Sequence, residues 1–254
     1  MASPPAYACG QEDAGAAGFP TDVRIARNYT ISPLSGRVAV LTSGGLDSSV
    51  LLAEMAARHR RVFPIYVRAG LRWERNELAV LRRFIGAIAR PAIAPITVLD
   101  LPAAAPNREH WSVSGRDVPG YRAAISSNHI VGRNLSLLSS AAIFCAHKRI
   151  GEIAMAPLGD NPFPDAQPRF FRAFERAVAL GVGLRLRIAT PYARLSKADV
   201  VRRGRDLPLR LTVSCILPAG IRHCGACTKC AERVAGFRTA GVDDPTVYVQ
   251  PHRR

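Results

Sequence analysis

Residues 38–49 read VAVLTSGGLDSS, an apolar run followed by a glycine-rich turn and the start of an apolar helix. A strand, a turn and a helix in this order aim backbone N–H groups at one point, where they can bind a phosphate. Gly44 and Gly45 would let the backbone approach phosphate oxygens closely. Hydroxyl groups that could donate hydrogen bonds lie beside them, at Ser43, Ser48 and Ser49. The stretch is neither a Walker A loop nor a dinucleotide-binding G-x-G-x-x-G motif, so it predicts a phosphate-binding loop of another kind.

An aspartate inside such a loop is unexpected, because carboxylate and phosphate groups repel each other. Asp47 would be explained by a Mg²⁺ ion bound beside the phosphates. It would also be explained by hydrogen bonds from N–H groups at the start of the helix. A plain strand-to-helix turn with such a cap is the simpler alternative, and the Gly-Gly pair alone does not exclude it.

Short apolar runs alternate with helical patterns from Arg37 onward. They predict strands over 38–42, 62–67, 95–99, 152–156 and 184–189, and helices over 46–58, 74–89, 132–149, 167–181 and 196–205. This alternation predicts an α/β fold, with a parallel sheet covered by helices on both faces. Ligands bind such sheets at the carboxyl ends of the strands, where the loop after the first strand lies. Residues 1–20 are rich in Ala, Gly and Pro and are predicted to be flexible, and VRIARNYTI within 21–36 predicts an edge strand.

The six cysteines divide into two groups. Cys9 lies in the N-terminal segment, and Cys145 lies in an apolar helical pattern that predicts a buried thiol. The other four follow the spacing C-x8-C-x2-C-x2-C, at Cys215, Cys224, Cys227 and Cys230. Four thiolates so close together suit a closed, structural Zn²⁺ site. A disulfide pair and an iron–sulfur cluster are the alternatives.

The chain has 254 residues and a formal net charge of +16, which could attract nucleic acid or another polyanion. Only three of the 35 basic residues are lysines, and the arginines are scattered, which favours a solvated, arginine-rich surface over a nucleic-acid partner. No apolar run reaches the length of about 18 residues that a membrane span needs. Residues 1–20 also lack the basic residues of a secretory signal. The sequence therefore predicts a cytoplasmic protein with no membrane partner.

The stretch SGGLDSS resembles the SGGxDS signature of the PP-loop ATP pyrophosphatases, which adenylate a substrate and release pyrophosphate. Six further segments are similar, in the same order, to the 7-cyano-7-deazaguanine synthase (QueC) family of queuosine-precursor biosynthesis. These segments are GRNLSLLSSAA (132–142), FPDAQPRFF (163–171), TPYARLSKADVVRRG (190–204), SC (214–215), HCGACTKCAER (223–233) and DPTVY (244–248). The resemblance covers roughly residues 37–249, so it is far more specific than the loop alone.

The resemblance implies an ATP-dependent ligase. In that family, ATP activates a carboxylated 7-deazaguanine as an acyl-adenylate, and ammonia converts it to an amide. A second ATP activates the amide oxygen, and loss of AMP leaves a nitrile. ATP, Mg²⁺ and Zn²⁺ are the cofactors implied, the deazapurine and ammonia are the substrates, and a homodimer is expected.

The resemblance also assigns roles to residues. ATP binding falls to the loop, namely Ser43, Gly44, Gly45, Leu46, Asp47, Ser48 and Ser49. The resemblance implies catalytic roles for Asp47 and Lys197. For Lys197 the alternative is a solvated position on the surface of a helix. Contacts with the deazapurine fall to Arg133, Asn134, Asp160 and Asp165. For Arg133 and Asn134 the alternative is a helix N-terminus with a surface arginine.

The chain departs from the family pattern on the substrate side. Ala166 and Gln167 stand where a cysteine and an arginine are typical, and YVRAGLRWERNE replaces a Gly-Tyr-Gln turn after the second strand. A related deazapurine, or another amine in place of ammonia, is therefore an alternative substrate. A zinc-containing PP-loop enzyme that modifies tRNA, and a non-catalytic zinc-binding module, are the alternatives from other classes. The patterns divide the chain into an N-terminal extension (1–36), an ATP-binding domain (37–210) and a zinc-binding segment (211–254).

Overall fold

A computed structural model of the chain describes residues 36–101 and 107–250, all within one compact unit. Its centre is a five-stranded parallel sheet with the spatial order β3-β2-β1-β4-β5. The strands are β1 (Arg37–Leu41), β2 (Arg61–Arg68), β3 (Thr97–Asp100), β4 (Glu152–Ala154) and β5 (Arg187–Ala189). Cys9, the flexible segment predicted for 1–20 and the edge strand predicted around VRIARNYTI lie outside the described residues.

Helices connect the strands and cover the sheet. They are α1 (Leu46–Arg58), α2 (Glu74–Ile88), α3 (Trp111–Ser114), α4 (Arg133–Lys148), α5 (Pro168–Val182), α6 (Lys197–Arg203) and α7 (Thr228–Ala240). Short 3-10 turns lie at Ile125–Asn128, Pro164–Ala166 and Leu209–Leu211. No helix among the described residues is both long and apolar enough to cross a membrane.

The two faces of the sheet are buried in separate clusters, because alternate residues of a strand point to opposite sides. Ala39 and Leu41 pack with apolar residues of α4 and α5. Val38 and Val40 pack with apolar residues of α1 and α6, and with Phe237 of α7. The central strands are apolar on both faces for this reason, as parallel sheets require.

The predicted fold class is confirmed, and each predicted strand and helix overlaps an observed element. Strand β5 is shorter than predicted, because Leu184 and Leu186 are buried ahead of the strand but do not pair in the sheet. Helix α7 was not predicted. Its buried positions include Arg233 and Gly236, so it lacks the apolar stripe by which a helix is recognised in a sequence. The division at residue 210 stays a prediction.

The chain order of the strands reverses beside β1. The chain runs from β1 outward through β2 to β3, and then returns to place β4 on the other side of β1. Loops that leave the carboxyl ends of two such strands diverge, and they leave a crevice between them. The loop 42–45 follows β1 and the segment from Met155 follows β4, so both border this crevice.

Candidate active site

The crevice contains a cavity of about 220 Å³, which we call the main cavity. The loop after β1 lines one side through Ser43, Gly45, Asp47 and Ser48. Apolar side chains line it elsewhere, from the ends of three strands and from α4: Leu41, Val67, Leu137 and Met155. A partly apolar cavity beside a phosphate-binding loop suits a nucleotide, which has a flat base at one end and charge at the other.

The loop is held in shape by hydrogen bonds and by close packing. The backbone N–H of Ser43 donates to Ser48 Oγ at 3.1 Å, and the N–H of Val213 donates to the carbonyl oxygen of Gly44 at 2.9 Å. Gly44 has φ of +71°, and a Cβ atom there would lie 2.5 Å from the carbonyl oxygen of Glu77. A larger residue at position 44 would therefore clash with α2 as well as strain the backbone.

The predicted ATP-binding residues do not all face the main cavity. Ser43, Gly45, Asp47 and Ser48 line it, whereas Gly44 shapes the turn. The side chain of Leu46 packs in the core, although the residue borders a second cavity. Ser49 is fully buried and lines none of the cavities described here, so the structure does not bring its hydroxyl to the site.

The second cavity, of about 190 Å³, adjoins the loop and is called the polar cavity. Four cationic side chains line it: Arg133, Lys197, Lys229 and Arg233. Ser43, Gly45 and Asp47 border both this cavity and the main one. Three acidic side chains line the polar cavity as well: Asp47, Glu77 and Glu232. Cations beside a phosphate-binding loop favour a polyanion such as pyrophosphate. Lys229 and Arg233 were not among the predicted site residues, although both belong to the quoted segment HCGACTKCAER.

Asp47 and Lys197 form part of a chain of alternating charges. Lys197 Nζ lies 2.5 Å from Asp47 Oδ2 and 2.9 Å from Glu232 Oε1. Glu232 also accepts a hydrogen bond from Lys229 Nζ. Burial acts to lower the pKa of Lys197, but the carboxylates of Asp47 and Glu232 outweigh burial and raise it. Lys197 is therefore a fixed cation rather than a proton donor. The sequence did not indicate Glu232.

The helix-cap explanation for Asp47 is wrong. The N-cap of α1 is Gly45, and among the described residues no side-chain hydrogen bond caps this helix. Asp47 Oδ2 is taken by Lys197, while Oδ1 is buried and has no hydrogen-bond partner among the described residues. A buried carboxylate oxygen without a partner is costly unless a ligand completes it. Its hard oxygen is the donor type that Mg²⁺ prefers, so Asp47 fits a cation beside the phosphates.

Glu77 of α2 is a buried carboxyl group at the junction of the main and polar cavities. Tyr66 Oη donates a hydrogen bond to Glu77 Oε2 at 2.8 Å. Burial raises the pKa of Glu77 to about 7, and the nearby charge of Arg133 offsets this only in part. Arg133 Nε is itself buried without a hydrogen-bond partner among the described residues. A phosphate in the site would pair with Arg133 and would favour the protonated form of Glu77.

Glu77→Gln should remove a pH-dependent loss of stability. The native pKa of about 7 exceeds the ordinary 4.5. Between these pH values the folded protein therefore keeps a proton on Glu77 that the unfolded chain has lost. Stability should fall as pH rises through this window, by about 3 kcal/mol in total, and change no further above it. The glutamine still accepts from Tyr66 but does not ionise. Urea unfolding at pH 5 and pH 8 should show this fall in the wild type and not in the variant.

Glu109→Gln is the matched control, since the side chain of Glu109 is 81% exposed and should not reproduce the effect. Identical pH profiles for wild type and Glu77→Gln would show that Glu77 does not titrate in this range.

The four predicted deazapurine contacts do not meet in one place. Arg133 and Asn134 line the main cavity at the start of α4. The backbone N–H of Asn134 donates to Asp165 Oδ2 at 2.8 Å, and its side-chain amide donates to the carbonyl oxygen of Asp165 at 3.1 Å. Asp165 thus satisfies the N-terminus of α4 and lines none of the cavities described here. Asp160 lines two other cavities, beyond Asp47.

Ala166 and Gln167, which differ from the family pattern, also lie away from these cavities. Ala166 is buried, and Gln167 Nε2 donates to the carbonyl oxygens of Asn161 and Phe163 at 2.8 and 3.2 Å. Gln167 therefore holds the shape of the loop after β4. It does so through backbone groups rather than by facing a ligand.

The four C-terminal cysteines converge on one point, where their Sγ atoms all lie within 4.8 Å of one another. Cys230 Sγ lies 3.5 Å from Cys227 Sγ and 3.8 Å from Cys224 Sγ. Tetrahedral zinc, with Zn–S bonds of about 2.3 Å, places its sulfurs about 3.8 Å apart. The cluster could therefore hold a single metal ion such as zinc, whereas several iron atoms with bridging sulfides would need more room. Cys145 is buried in the core, as predicted.

The backbone around the cluster is arranged for thiolates. The N–H groups of Leu217 and Cys224 point at Cys215 Sγ from 3.3 and 3.2 Å. Gly225 has φ of +81°, and a Cβ atom there would lie 2.2 Å from the carbonyl oxygen of Gln250. The turn between two of the ligands therefore requires glycine. Cys227 is the N-cap of α7, so the cluster fixes the start of the helix that carries Lys229, Glu232 and Arg233.

Arg233 anchors α7 to the rest of the unit. Its side chain is almost completely buried. It donates to the carbonyl oxygen of Leu209 at 3.0 Å and to the hydroxyls of Thr212 and Thr246 at 2.9 and 2.6 Å. A buried polar network therefore joins α7 to the segment 209–212 and to Thr246.

Comparisons with known proteins give a consistent result. Residues 37–241 match the family described as "Queuosine biosynthesis protein QueC". The chain is 37% identical to the 7-cyano-7-deazaguanine synthase of Anaeromyxobacter sp. strain Fw109-5 over 230 residues, which cover 84% of this chain and 97% of the relative. It is 30% identical to the enzyme of the same name from Methanoculleus marisnigri over 219 residues, covering 84% and 98%. A predicted tRNA methyltransferase subunit from Methanocaldococcus jannaschii is similar in structure, with a TM-score of 0.42, 14% identity and coverage of 65% and 71%, which supports no further conclusion.

Proposed function

The chain belongs to the QueC family of queuosine biosynthesis proteins, and from that premise we propose that it is an ATP-dependent 7-cyano-7-deazaguanine synthase. Its substrates are 7-carboxy-7-deazaguanine and ammonia. The observation that carries this proposal is the phosphate-binding loop at the switch point of the sheet. This loop faces a partly apolar cavity on one side and, on the other, a polar cavity lined by cations and carboxyl groups.

The two cavities suit the two ends of ATP. The base and ribose fit the main cavity, between Leu41, Val67 and Met155. The β- and γ-phosphates fit the polar cavity, which is bordered by Arg133, Lys197 and Lys229. The α-phosphate then lies where the cavities join, beside Ser43 and Asp47. Mg²⁺ held by Asp47 would neutralise charge on the phosphates.

The cations have a direct part in the chemistry. When a carboxylate oxygen of the substrate attacks the α-phosphorus, pyrophosphate leaves with additional negative charge. Fixed cations that face this charge lower the barrier without reorganising, and removing one such group typically costs about 100- to 1,000-fold in rate. Lys197 is suited to this role because two carboxylates fix its ammonium group.

The remaining steps follow the same pattern. Ammonia adds to the acyl carbon of the adenylate and loses a proton, and AMP leaves to give the amide. The amide oxygen then attacks the α-phosphorus of a second ATP, and pyrophosphate leaves again. Loss of the two N–H protons and of AMP forms the carbon–nitrogen triple bond. Each nitrile therefore consumes two ATP and yields two AMP and two pyrophosphate.

The four-cysteine cluster holds a structural Zn²⁺ ion in this proposal. Four thiolates leave no open coordination position, so the ion would stabilise the fold and would not activate water. Its contribution to the reaction is indirect, because it fixes the start of α7 and thereby the positions of Lys229 and Glu232.

We also propose a cytoplasmic homodimer. The outward face of α4 supports self-association, because Leu135 and Ile143 lie two turns apart on it and are 48% and 53% exposed, and Val131, just ahead of the helix, is 74% exposed. The positions between them on this stripe are uncharged, which suits contact between two copies of a chain with a net charge of +16. Light scattering should give twice the chain mass of 27.4 kDa, and Leu135→Glu with Ile143→Glu should give a monomer.

The nucleotide products test the proposed chemistry. With 7-carboxy-7-deazaguanine and ammonium present, ATP should be cleaved between its α- and β-phosphates, so chromatography should show AMP and pyrophosphate in equal amounts. ADP and inorganic phosphate as the products would contradict the proposal. Inorganic pyrophosphatase must be absent from the assay, since it would convert pyrophosphate to phosphate.

A further inference from the structure

A third cavity meets the other two at Asp47. It has a volume of about 100 Å³ and lies between the 3-10 turn Ile125–Asn128, the loop 157–163 after β4, and α7. A cavity of about 430 Å³ adjoins it, because four residues line both: Ile125, Asn128, Asp160 and Glu232. We call the two together the outer cavity. Among the described residues, Asp47 alone lines the main cavity, the polar cavity and the smaller part of the outer cavity.

Three groups must meet at the α-phosphorus when ATP adenylates a carboxylate. They are the nucleoside that stays attached, the pyrophosphate that leaves and the carboxylate that attacks. The attacking oxygen and the leaving oxygen lie roughly in line, so they cannot share one compartment. If the main cavity takes the nucleoside and the polar cavity takes pyrophosphate, the cavity that remains beside Asp47 is the outer one.

Building on the proposed function, we infer that the outer cavity binds the carboxylated base, and that Asp160 recognises the guanine-like edge of that base. This assignment moves the substrate site away from Arg133 and Asn134, which face ATP. It also removes Asp165 from the site, since Asp165 is occupied at the start of α4.

The chemistry of the cavity matches such a ligand. A guanine-like edge presents two adjacent N–H donors and one carbonyl acceptor. Asp160 is exposed at the edge of the outer cavity and has no hydrogen-bond or ion-pair partner among the described residues, so both carboxylate oxygens can accept from a ligand in place of water. Asn128 Oδ1 already accepts from the hydroxyl of Thr228 at 2.8 Å, which directs its NH₂ group, a donor, elsewhere.

Apolar and cationic groups complete the fit. Ile125, Pro157 and Phe163 offer faces for a flat ring, and the ring of Phe163 is itself held by stacking on His129 with centroids 4.9 Å apart. Lys229 borders both the outer and the polar cavities, so it can face the carboxylate of the base as well as the phosphates. The site therefore suits a planar base that carries its acid group on the side toward Asp47.

The test compares two ligands on three proteins by calorimetry. The ligands are 7-carboxy-7-deazaguanine and the analogue that lacks the 2-amino group. The proteins are the wild type, Asp160→Asn and the matched control Asp165→Asn. A hydrogen bond to a charged group contributes enough that Asp160→Asn should weaken binding of the guanine-type base by about 10- to 100-fold. The same variant should bind ATP as the wild type does, which shows that it is folded.

The analogue without the 2-amino group tests whether Asp160 contacts that group. The wild type should prefer the 2-amino compound, and Asp160→Asn should lose most of this preference. Asp165→Asn should keep both the affinity and the preference at temperatures where it is folded. Unchanged base affinity in Asp160→Asn, with the wild type binding the base, would overturn the inference and leave the proposed function standing. ATP binding without any binding of the base by the wild type would overturn both.

Discussion

Asp47→Asn should reduce the formation of AMP by about 100- to 1,000-fold while the protein remains folded. The variant keeps the shape of the side chain but loses the charge that fits a cation beside the phosphates. Lys197 keeps Glu232 as its partner at 2.9 Å, so the buried ammonium group is not left without a counter-charge. Removing one partner of a buried ion pair typically costs about 3–5 kcal/mol. The free energy of unfolding of Asp47→Asn should therefore fall by less than this.

The measurement is AMP release under saturating ATP, carboxylated base and ammonium, together with a thermal unfolding curve for each protein. Asp206→Asn is the control, because the side chain of Asp206 is 90% exposed and lies 3.7 Å from Arg205, its one ion-pair partner within the described part of the chain. Turnover in Asp47→Asn within about tenfold of the wild type would show that this carboxylate is not part of the reacting centre.

Removal of the metal from the cysteine cluster should have an effect of comparable size, but on folding. Metal analysis should find about one zinc ion per chain, and Cys227→Ser should lose it. Zinc contributes about 10–16 kcal/mol to the folding of zinc-finger peptides, so loss of the ion should unfold at least the cluster and the start of α7. Because α7 carries Lys229 and Glu232, ATP cleavage should be lost together with the structure.

Two observations distinguish this result from general damage. Cys145→Ala changes a cysteine that is just as buried but lies in the core away from the cluster, so it should reduce stability and keep the zinc. Hydrogen exchange should show loss of protection at residues 224–240 in the chelated protein, with β1 and β2 still protected. An anaerobically purified protein that contains iron and absorbs visible light would contradict the zinc assignment.

The sequence predicted the sheet well because its signals are local. Val38 and Val40 alternate with Ala39 and Leu41 in a run that is apolar on both faces, and the glycine-rich turn marks where it ends. The four cysteines were equally informative, since their spacing alone limits how far apart they can lie. Both features concern residues within about 16 positions of each other, where the chain itself restricts the geometry.

The parts that were not predicted depend on long-range contacts. Lys197 and Asp47 are 150 positions apart, and nothing local indicates that they form an ion pair. Glu77 lies in an amphipathic helix where a charged residue predicts solvent exposure, but it is buried and accepts a hydrogen bond from Tyr66, which is distant in the sequence. The sequence assigned Asp165 to the substrate because it belongs to the segment FPDAQPRFF. In the structure its carboxylate accepts from the N-terminus of α4, 31 positions earlier in the chain.

The measurement that tests the central claim most directly is mass spectrometry of the product formed from ATP, 7-carboxy-7-deazaguanine and ¹⁵N-labelled ammonium. The account predicts a nitrile that carries a single ¹⁵N atom, with two AMP released for each nitrile, and no such product from Asp47→Asn. Hydrolysis of ATP with the carboxylated base recovered unchanged, or transfer of AMP to a different acceptor, would contradict the proposed function.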